Sequence, residues 1–217
     1  LFKNVSLKIN KNLQIGIIGD SGSGKSTIID ILSGFQFNKY SKLKIDGKEI
    51  FGSGDLESWQ NSLGYVPQDI VILNQSLREN ILFGANKNFF NDEILKNIIR
   101  KVDLEKFTYK SQKGLSQILK QDGENISGGE KQRIGIARAL IHDPNLIILD
   151  EATSGLDFET ENNILNTIKK LKKTSIIVSH RLNALKNCDQ IYLLENKQLS
   201  LIKKNRLKER FKNKYHE

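Results

Sequence analysis

Gly19-Asp20-Ser21-Gly22-Ser23-Gly24-Lys25-Ser26, with Thr27 after it, is the stretch that decides the reading of this chain. Its glycines, lysine and serine stand at the spacing of a phosphate-gripping loop. The flanks have the matching character. Residues 13–18 form a short apolar run, as a buried central strand does. Lys25–Leu32 then reads as a helix, stopped by Gly34. Each residue type has a physical reason to be there. Glycines let the backbone wrap closely round phosphate oxygens. Successive N–H groups and the helix N-terminus face the negative charge. Lys25 has the reach for β- and γ-phosphates, and the Ser26 hydroxyl can ligate Mg²⁺. The loop therefore predicts a nucleoside triphosphate held by Gly19, Asp20, Ser21, Gly22, Ser23, Gly24, Lys25, Ser26 and Thr27.

Further along, Leu146-Ile147-Ile148-Leu149-Asp150-Glu151 is an apolar strand ending in two carboxylates. A parallel strand beside the one that feeds the loop would deliver Asp150 next to Ser26, where it can hold the Mg²⁺ shell. Glu151, one residue on, is placed to orient and polarise an attacking water. In-line attack on a γ-phosphoryl group is catalysed mostly by positioning and charge stabilisation.

The remaining pattern supplies the frame. Residues 5–9 alternate apolar and polar, as an exposed strand does. Asp46-Gly47 between residues 43–45 and 48–50 is a two-residue hairpin signal. From about residue 69 to 142 strand-like runs become rare. Residues 91–102 carry apolar residues at helical spacing, and residues 130–141 predict another helix with Ile134, Ala137, Leu140 and Ile141 on one face. Strands return at residues 146–149, 175–178 and 191–194, the last pairing with 199–202 across Asn196-Lys197, and a helix is expected over about 160–172. Strand–helix alternation predicts an α/β fold of the P-loop NTPase kind: a mostly parallel sheet flanked by helices, with an antiparallel hairpin region and an inserted helical subdomain. The expected division is one domain over 1–217, with a core of 1–68 and 143–202, a helical insertion of 69–142, and a basic tail of 203–217.

Composition bounds the rest. The chain has 217 residues, 38% hydrophobic and 27% charged, an ordinary globular mix able to bury a core. Its one cysteine, Cys188, cannot form an internal disulfide and reads as a small buried apolar residue, which suits a reducing, cytoplasmic setting. No apolar run approaches the ~18–20 residues needed to cross a bilayer. The chain has no Met and opens inside what reads as a strand, so we expect a piece of a longer polypeptide. The net charge is +9, concentrated at Lys203, Lys204, Arg206, Lys208, Arg210, Lys212 and Lys214. A solvated terminal helix is the first reading of that run and a tail near anionic lipid the second. Nucleic-acid binding comes third, because few aromatics interleave the charges.

Four more motifs become legible beside these. They are Tyr65-Val66-Pro67-Gln68, Ile126-Ser127-Gly128-Gly129-Glu130, Ser154-Gly155-Leu156-Asp157 and Val178-Ser179-His180-Arg181. In order and spacing the set resembles the ABC ATPase family, over residues 1 to about 202. Gln68 resembles its Q-loop, residues 126–130 its signature, Asp157 its D-loop and His180 its switch histidine. Ser127-x-x-Glu130 is also a capping box, and a capped helix N-terminus with two glycines is itself an anion site.

The resemblance implies ATP and Mg²⁺ as cofactors. Metal contacts would come from Ser26, Gln68 and Asp150, and the catalytic set would be Lys25, Gln68, Glu151 and His180. It further implies a head-to-tail pair of such domains, in which Ser127, Gly128 and Gly129 of one cover the ATP on the other. Residues 76–84 resemble the exporter-type segment that faces a membrane domain. The implied setting is thus an ABC exporter, its transmembrane domain N-terminal on the same chain and its ATPase on the cytoplasmic face of the membrane. A soluble ABC ATPase acting on nucleic acid or ribosomes, or an importer subunit, is the alternative. The signature departs from the usual pattern at Ile126 and Glu130, and the D-loop at Gly155. The family's adenine-stacking aromatic would lie before Leu1.

Overall fold

The structure is a computed structural model that describes residues 2, 5–36, 42–50, 52–86 and 89–206. Strand β1 (Gln14–Ile18) is buried at every position. It feeds a turn, and helix α1 (Lys25–Leu32) follows, with the chain leaving it through Gly34 in the left-handed region. A hairpin of β2 (Lys44–Ile45) and β3 (Lys48–Glu49) pairs Lys44 with Glu49 and Ile45 with Lys48. Its turn has positive φ at both Asp46 and Gly47, the conformation that matches strand twist. Helix α2 (Gly52–Asn61) leads into β4 (Leu63–Val66).

A helical stretch follows: α3 (Leu77–Ile81), α4 (Asp92–Lys101), α5 (Glu105–Lys110) and α6 (Gly128–Leu140). Helix α4 shows why such segments form. Asn91 caps it through Ile94 N, Asp92 and Glu93 occupy the first turn, and Arg100 and Lys101 the last, each charge complementing the helix dipole. Leu95, Ile98 and Ile99 form its buried stripe. The chain closes with β5 (Leu146–Asp150), α7 (Phe158–Lys170), β6 (Thr174–Ser179), α8 (Leu182–Leu185), β7 (Gln190–Glu195) and β8 (Gln198–Ile202).

The six-stranded sheet has the order β4-β5-β6-β1-β7-β8. Its strands pair in parallel except for β8, which returns antiparallel through Asn196 and Lys197, both at positive φ. Alternate residues feed two apolar clusters, one on each face. Ile15, Ile17, Ile148, Ile176 and Val178 pack with Ile28 and Ile29 of α1. Ile18, Val66, Ile147 and Ile177 join a larger cluster that also takes in Leu77, Leu95, Ile134 and Ile164 from the helices. Helices on both faces of a largely parallel sheet is the doubly covered arrangement expected from strand–helix alternation.

Several expectations need correcting. The strand that ends in Asp150 is not beside β1. Strand β6 lies between them, pairing with β1 on one side and β5 on the other. Residues 5–9 alternate in burial but form no strand. Helix α6 starts at Gly128 and α7 at Phe158, each earlier than predicted, because Ser127 and Asp157 cap them and recruit the residues after them into the first turn. Strand β4 and helix α2 were not anticipated from the sequence. Among the described residues no strand of the large sheet falls between Val66 and Leu146, as the helical reading of that stretch requires. The basic run beyond Arg206 lies outside the described residues.

Candidate active site

Strand register assembles the site. Ile18 stands opposite Ser179, and Asp150 opposite Val178. The next residues, Gly19, His180 and Glu151, therefore emerge together at the carboxyl edge of three strands, the place where open α/β sheets bind ligands. The intervening β6 is what puts His180 between the other two.

The loop after β1 is shaped by its glycines. Gly24, the N-cap of α1, has φ 107°, a conformation disfavoured for side-chain-bearing residues, and a Cβ there would come within 2.8 Å of the Phe2 ring. Lys25 is buried, and its Nζ donates to Gly19 O at 2.9 Å and Asp20 O at 3.1 Å. The Ser23 hydroxyl is buried with no partner among the described residues, while Ser21 and Ser26 are exposed at the mouth. A backbone loop at a helix N-terminus, a buried ammonium and an unclaimed hydroxyl together form an anion cradle.

Glu151 faces that cradle. Its Oε1 lies 3.3 Å from Lys25 Nζ, and its Oε2 lies 3.3 Å from His180 Nδ1. A carboxylate in that position accepts the Nδ1 proton. The Glu151 backbone is in the left-handed region, φ 47°, with its N–H donating to Val178 O at 2.9 Å. Holding a non-glycine residue there costs about 1–3 kcal/mol, and such strain concentrates at functional positions.

Asp150, at the end of β5, accepts a hydrogen bond from the Tyr65 hydroxyl at 3.0 Å. Burial pushes its carboxyl up, and the neighbouring Glu151 adds to this; Tyr65 and Lys25 pull the other way. Burial and then the charge of Asp150 push the Tyr65 phenol up in turn. The Asp150 carboxylate, the exposed hydroxyl of Ser26 and the exposed amide of Gln68 each offer oxygen as the donor atom. That suits a hard divalent ion whose remaining ligands are phosphate and water. Among the described residues no group of three or more His, Cys, Asp or Glu side chains is arranged to hold a metal unaided.

The structure thus brings Lys25, Glu151 and His180 together, with Asp150 one residue from Glu151. Gln68 is exposed two residues past β4. Ser127, Gly128 and Gly129 do not join the cradle. They line a separate cavity of about 380 Å³ with Glu130, Arg133, Gly155, Leu156 and Asp157. The Ser127 side chain accepts from Glu130 N, and the Glu130 side chain accepts from Ser127 N, a complete capping box that leaves the first N–H groups of α6 at the cavity wall.

Sequence reasoning missed several residues around the site. Tyr65 was read only as a neighbour of Gln68; its place two residues before Pro67, on the strand face shared with Ile148 and Asp150, carries the clue. Arg181 donates to Ser154 O at 3.4 Å and Leu156 O at 3.3 Å. Arg138 of α6 donates to Asn80 O, Val71 O and Asn80 Oδ1 at 2.6, 2.6 and 3.0 Å. Burial brings the Arg138 guanidinium down to about 10. Nothing local in the sequence announces such long-range contacts.

The sheet order and the cradle define a P-loop nucleotide-binding domain. Residues 2–154 match the ABC transporter family, and the chain belongs to that family. It is an ATP-binding domain of the ABC ATPase type. It is 39% identical over 200 residues to the mitochondrial iron-sulfur clusters transporter ATM1 of Kluyveromyces lactis, covering 90% of this chain and 27% of that protein. Over 199 residues it is 34% identical to the ATP-dependent lipid A-core flippase of Idiomarina loihiensis, covering 91% and 34%. Its fold matches that of a bacterial Atm1-family ABC exporter with ATP bound, at TM-score 0.82 and 31% identity, over 95% of this chain and 36% of the other. The chain spans only about a quarter to a third of the length of these curated relatives. Among the described residues no helix is long and apolar enough to cross a membrane.

Proposed function

We propose that this domain hydrolyses ATP and drives transport by an ABC exporter. The observation that carries the reading is the Glu151 carboxylate held between Lys25 and His180 at the mouth of the phosphate cradle. The names of its relatives, a transporter, a flippase and an exporter, support the export assignment.

In this reading the triphosphate lies on Gly19–Thr27, with Lys25 on its β- and γ-phosphates. Mg²⁺ would be held by Ser26, Asp150 and Gln68 and would neutralise charge on the phosphate oxygens. Glu151 orients and polarises the attacking water, and His180 fixes the Glu151 carboxylate while reaching the γ-phosphate. Tyr65 holds one oxygen of Asp150 and leaves the other for the metal shell. The site is completed by a second copy or a related domain packed head to tail. Ser127, Gly128 and Gly129 of each chain then close over the partner's ATP, and Asp157 lies beside it. The capped α6 terminus supplies N–H donors for that contact.

The division into a core of 1–68 and 143–202, a helical part of 69–142 and a tail of 203–217 serves this mechanism. The core holds nucleotide and the helical part meets a transmembrane domain, N-terminal on the same polypeptide. The domain then works at the cytoplasmic face of the membrane, and loosening of the ATP-closed pair is transmitted to the membrane part. The test is phosphate release against protein concentration for wild type and Glu151→Gln. Turnover that rises more than linearly with concentration and vanishes in the variant supports the reading; an equal rate in both refutes it.

A further inference from the structure

Glu161, on α7, is 1% exposed, yet it is ionisable and only partly satisfied. Its Oε1 accepts from Thr153 Oγ1 at 2.8 Å, a fully buried hydrogen bond, while its Oε2 is buried with no partner among the described residues. The cation paired with it is Arg181, whose Nη1 stands 3.7 Å from Oε1. An apolar residue of similar volume would fill the space without the cost of desolvating a charge. Stability alone therefore does not account for a carboxylate here.

What it touches does. Thr153 is two residues beyond Glu151, the residue facing Lys25. Arg181 directly follows His180, the other partner of the Glu151 carboxylate. Arg181 also donates to the carbonyls of Ser154 and Leu156, so its guanidinium ties down the loop that carries Gly155 and Asp157 to the second cavity. One carboxylate thus grips both arms that flank Glu151 and, through Arg181, the loop between the two sites.

We propose that Glu161 is a positioning residue that, through Thr153 and Arg181, fixes the mutual placement of Glu151, His180 and the 154–157 loop. It touches no reacting atom itself. The inference rests on the hydrolytic reading above. A rigid link of this kind matters when the γ-phosphoryl group is attacked, and matters little for holding ATP on the cradle, since none of the three residues lies in the loop.

The experiment uses the full polypeptide that carries this sequence. Steady-state phosphate release, ATP affinity by equilibrium titration and thermal unfolding are measured for wild type, Glu161→Gln, Arg181→Ala, their double variant and Glu159→Gln as an exposed control on the same helix. We expect kcat to fall at least tenfold in each single variant, with KM and ATP affinity within twofold of wild type and Glu159→Gln unchanged. The double variant should fall no further than the slower single one, because both cut the same link. If Glu161→Gln fails to fold, Arg181→Ala, altered at a partly exposed side chain, decides alone. Rates within twofold of wild type in the folded variants overturn the proposal. So does a loss of rate that only tracks a loss of ATP affinity. A wild type without ATPase activity, or a fully active Glu151→Gln, would instead overturn the functional reading.

Discussion

Lys25 Nζ and Glu151 Oε1 lie 3.3 Å apart, although the strands that lead to them, β1 and β5, do not pair with each other. The contact joins the buried ammonium of the cradle to a carboxylate that is 20% exposed. Strand β6, between those two strands, brings in His180, so that groups following three neighbouring strands meet at one carboxylate.

Replacing Glu151 by Gln keeps the shape and removes the charge of the proposed base. We expect hydrolysis to fall at least about 100-fold, in the range assigned to a positioned general base. ATP affinity should stay within about threefold. Phosphate release and a nucleotide titration on the same preparation check both halves.

Lys25→Ala should do the opposite. A charge-assisted hydrogen bond contributes about 1.5–3 kcal/mol, so ATP should bind at least about tenfold more weakly. Of the two bonds lost, water can replace the part-buried one to Asp20 O, whereas the buried Gly19 O loses its lysine partner, so a modest fall in melting temperature without unfolding is expected. Equilibrium titration and a melting curve separate the two effects.

Much of this was readable in the sequence because it is encoded locally. The phosphate loop fixes its own backbone through Gly22 and Gly24, both at positive φ, and α1 follows at the predicted residues. Both hairpin turns were visible as dipeptides, and Cys188 is buried as expected, its thiol pushed up by burial to about 12. What stayed hidden depends on neighbours distant in sequence. The insertion of β6 between β1 and β5 is a matter of strand order, which periodicity does not report. Gly64 looks like a poor strand residue until α6 is present: a Cβ there would meet Ala139 O at 2.6 Å, so the glycine lets helix and strand touch. The Tyr65–Asp150 bond, the Arg181–Glu161 pair and the Arg138 contacts all join residues from different elements of the chain.

Asn80 should be among the most sensitive residues for stability. Fully buried, it takes a bond from Leu73 N and donates to Leu73 O, Gln75 O and Ser76 O, besides meeting Arg138. Asn80→Ala strands several of these buried groups and should cost about 2–4 kcal/mol. Denaturant unfolding measures this directly, and a loss below about 1 kcal/mol would contradict the assignment.

Asp157 gives a pH signature. Its carboxylate accepts from Thr160 N and Glu159 N at the start of α7, and these bonds hold its pKa below the ordinary carboxylate value. The folded-state value is therefore the lower of the two. Its stabilisation is complete above the unfolded-state value of about 4 and disappears as pH falls through the folded-state one. Asp157→Asn keeps the cap geometry without the titration, so its melting temperature should fall less than that of wild type between pH 5 and pH 3. Parallel curves would exclude the cap as a titrating element.

Helix α6 holds Ser127 at one end and, near the other, Arg138, which is fastened to Val71 O and Asn80. At about 1.5 Å per residue its 13 residues span roughly 20 Å. It is a strut: one continuous helix spans the distance from the capped tip at Ser127 to the exposed surface around Val71 and Phe83, where Arg138 is anchored.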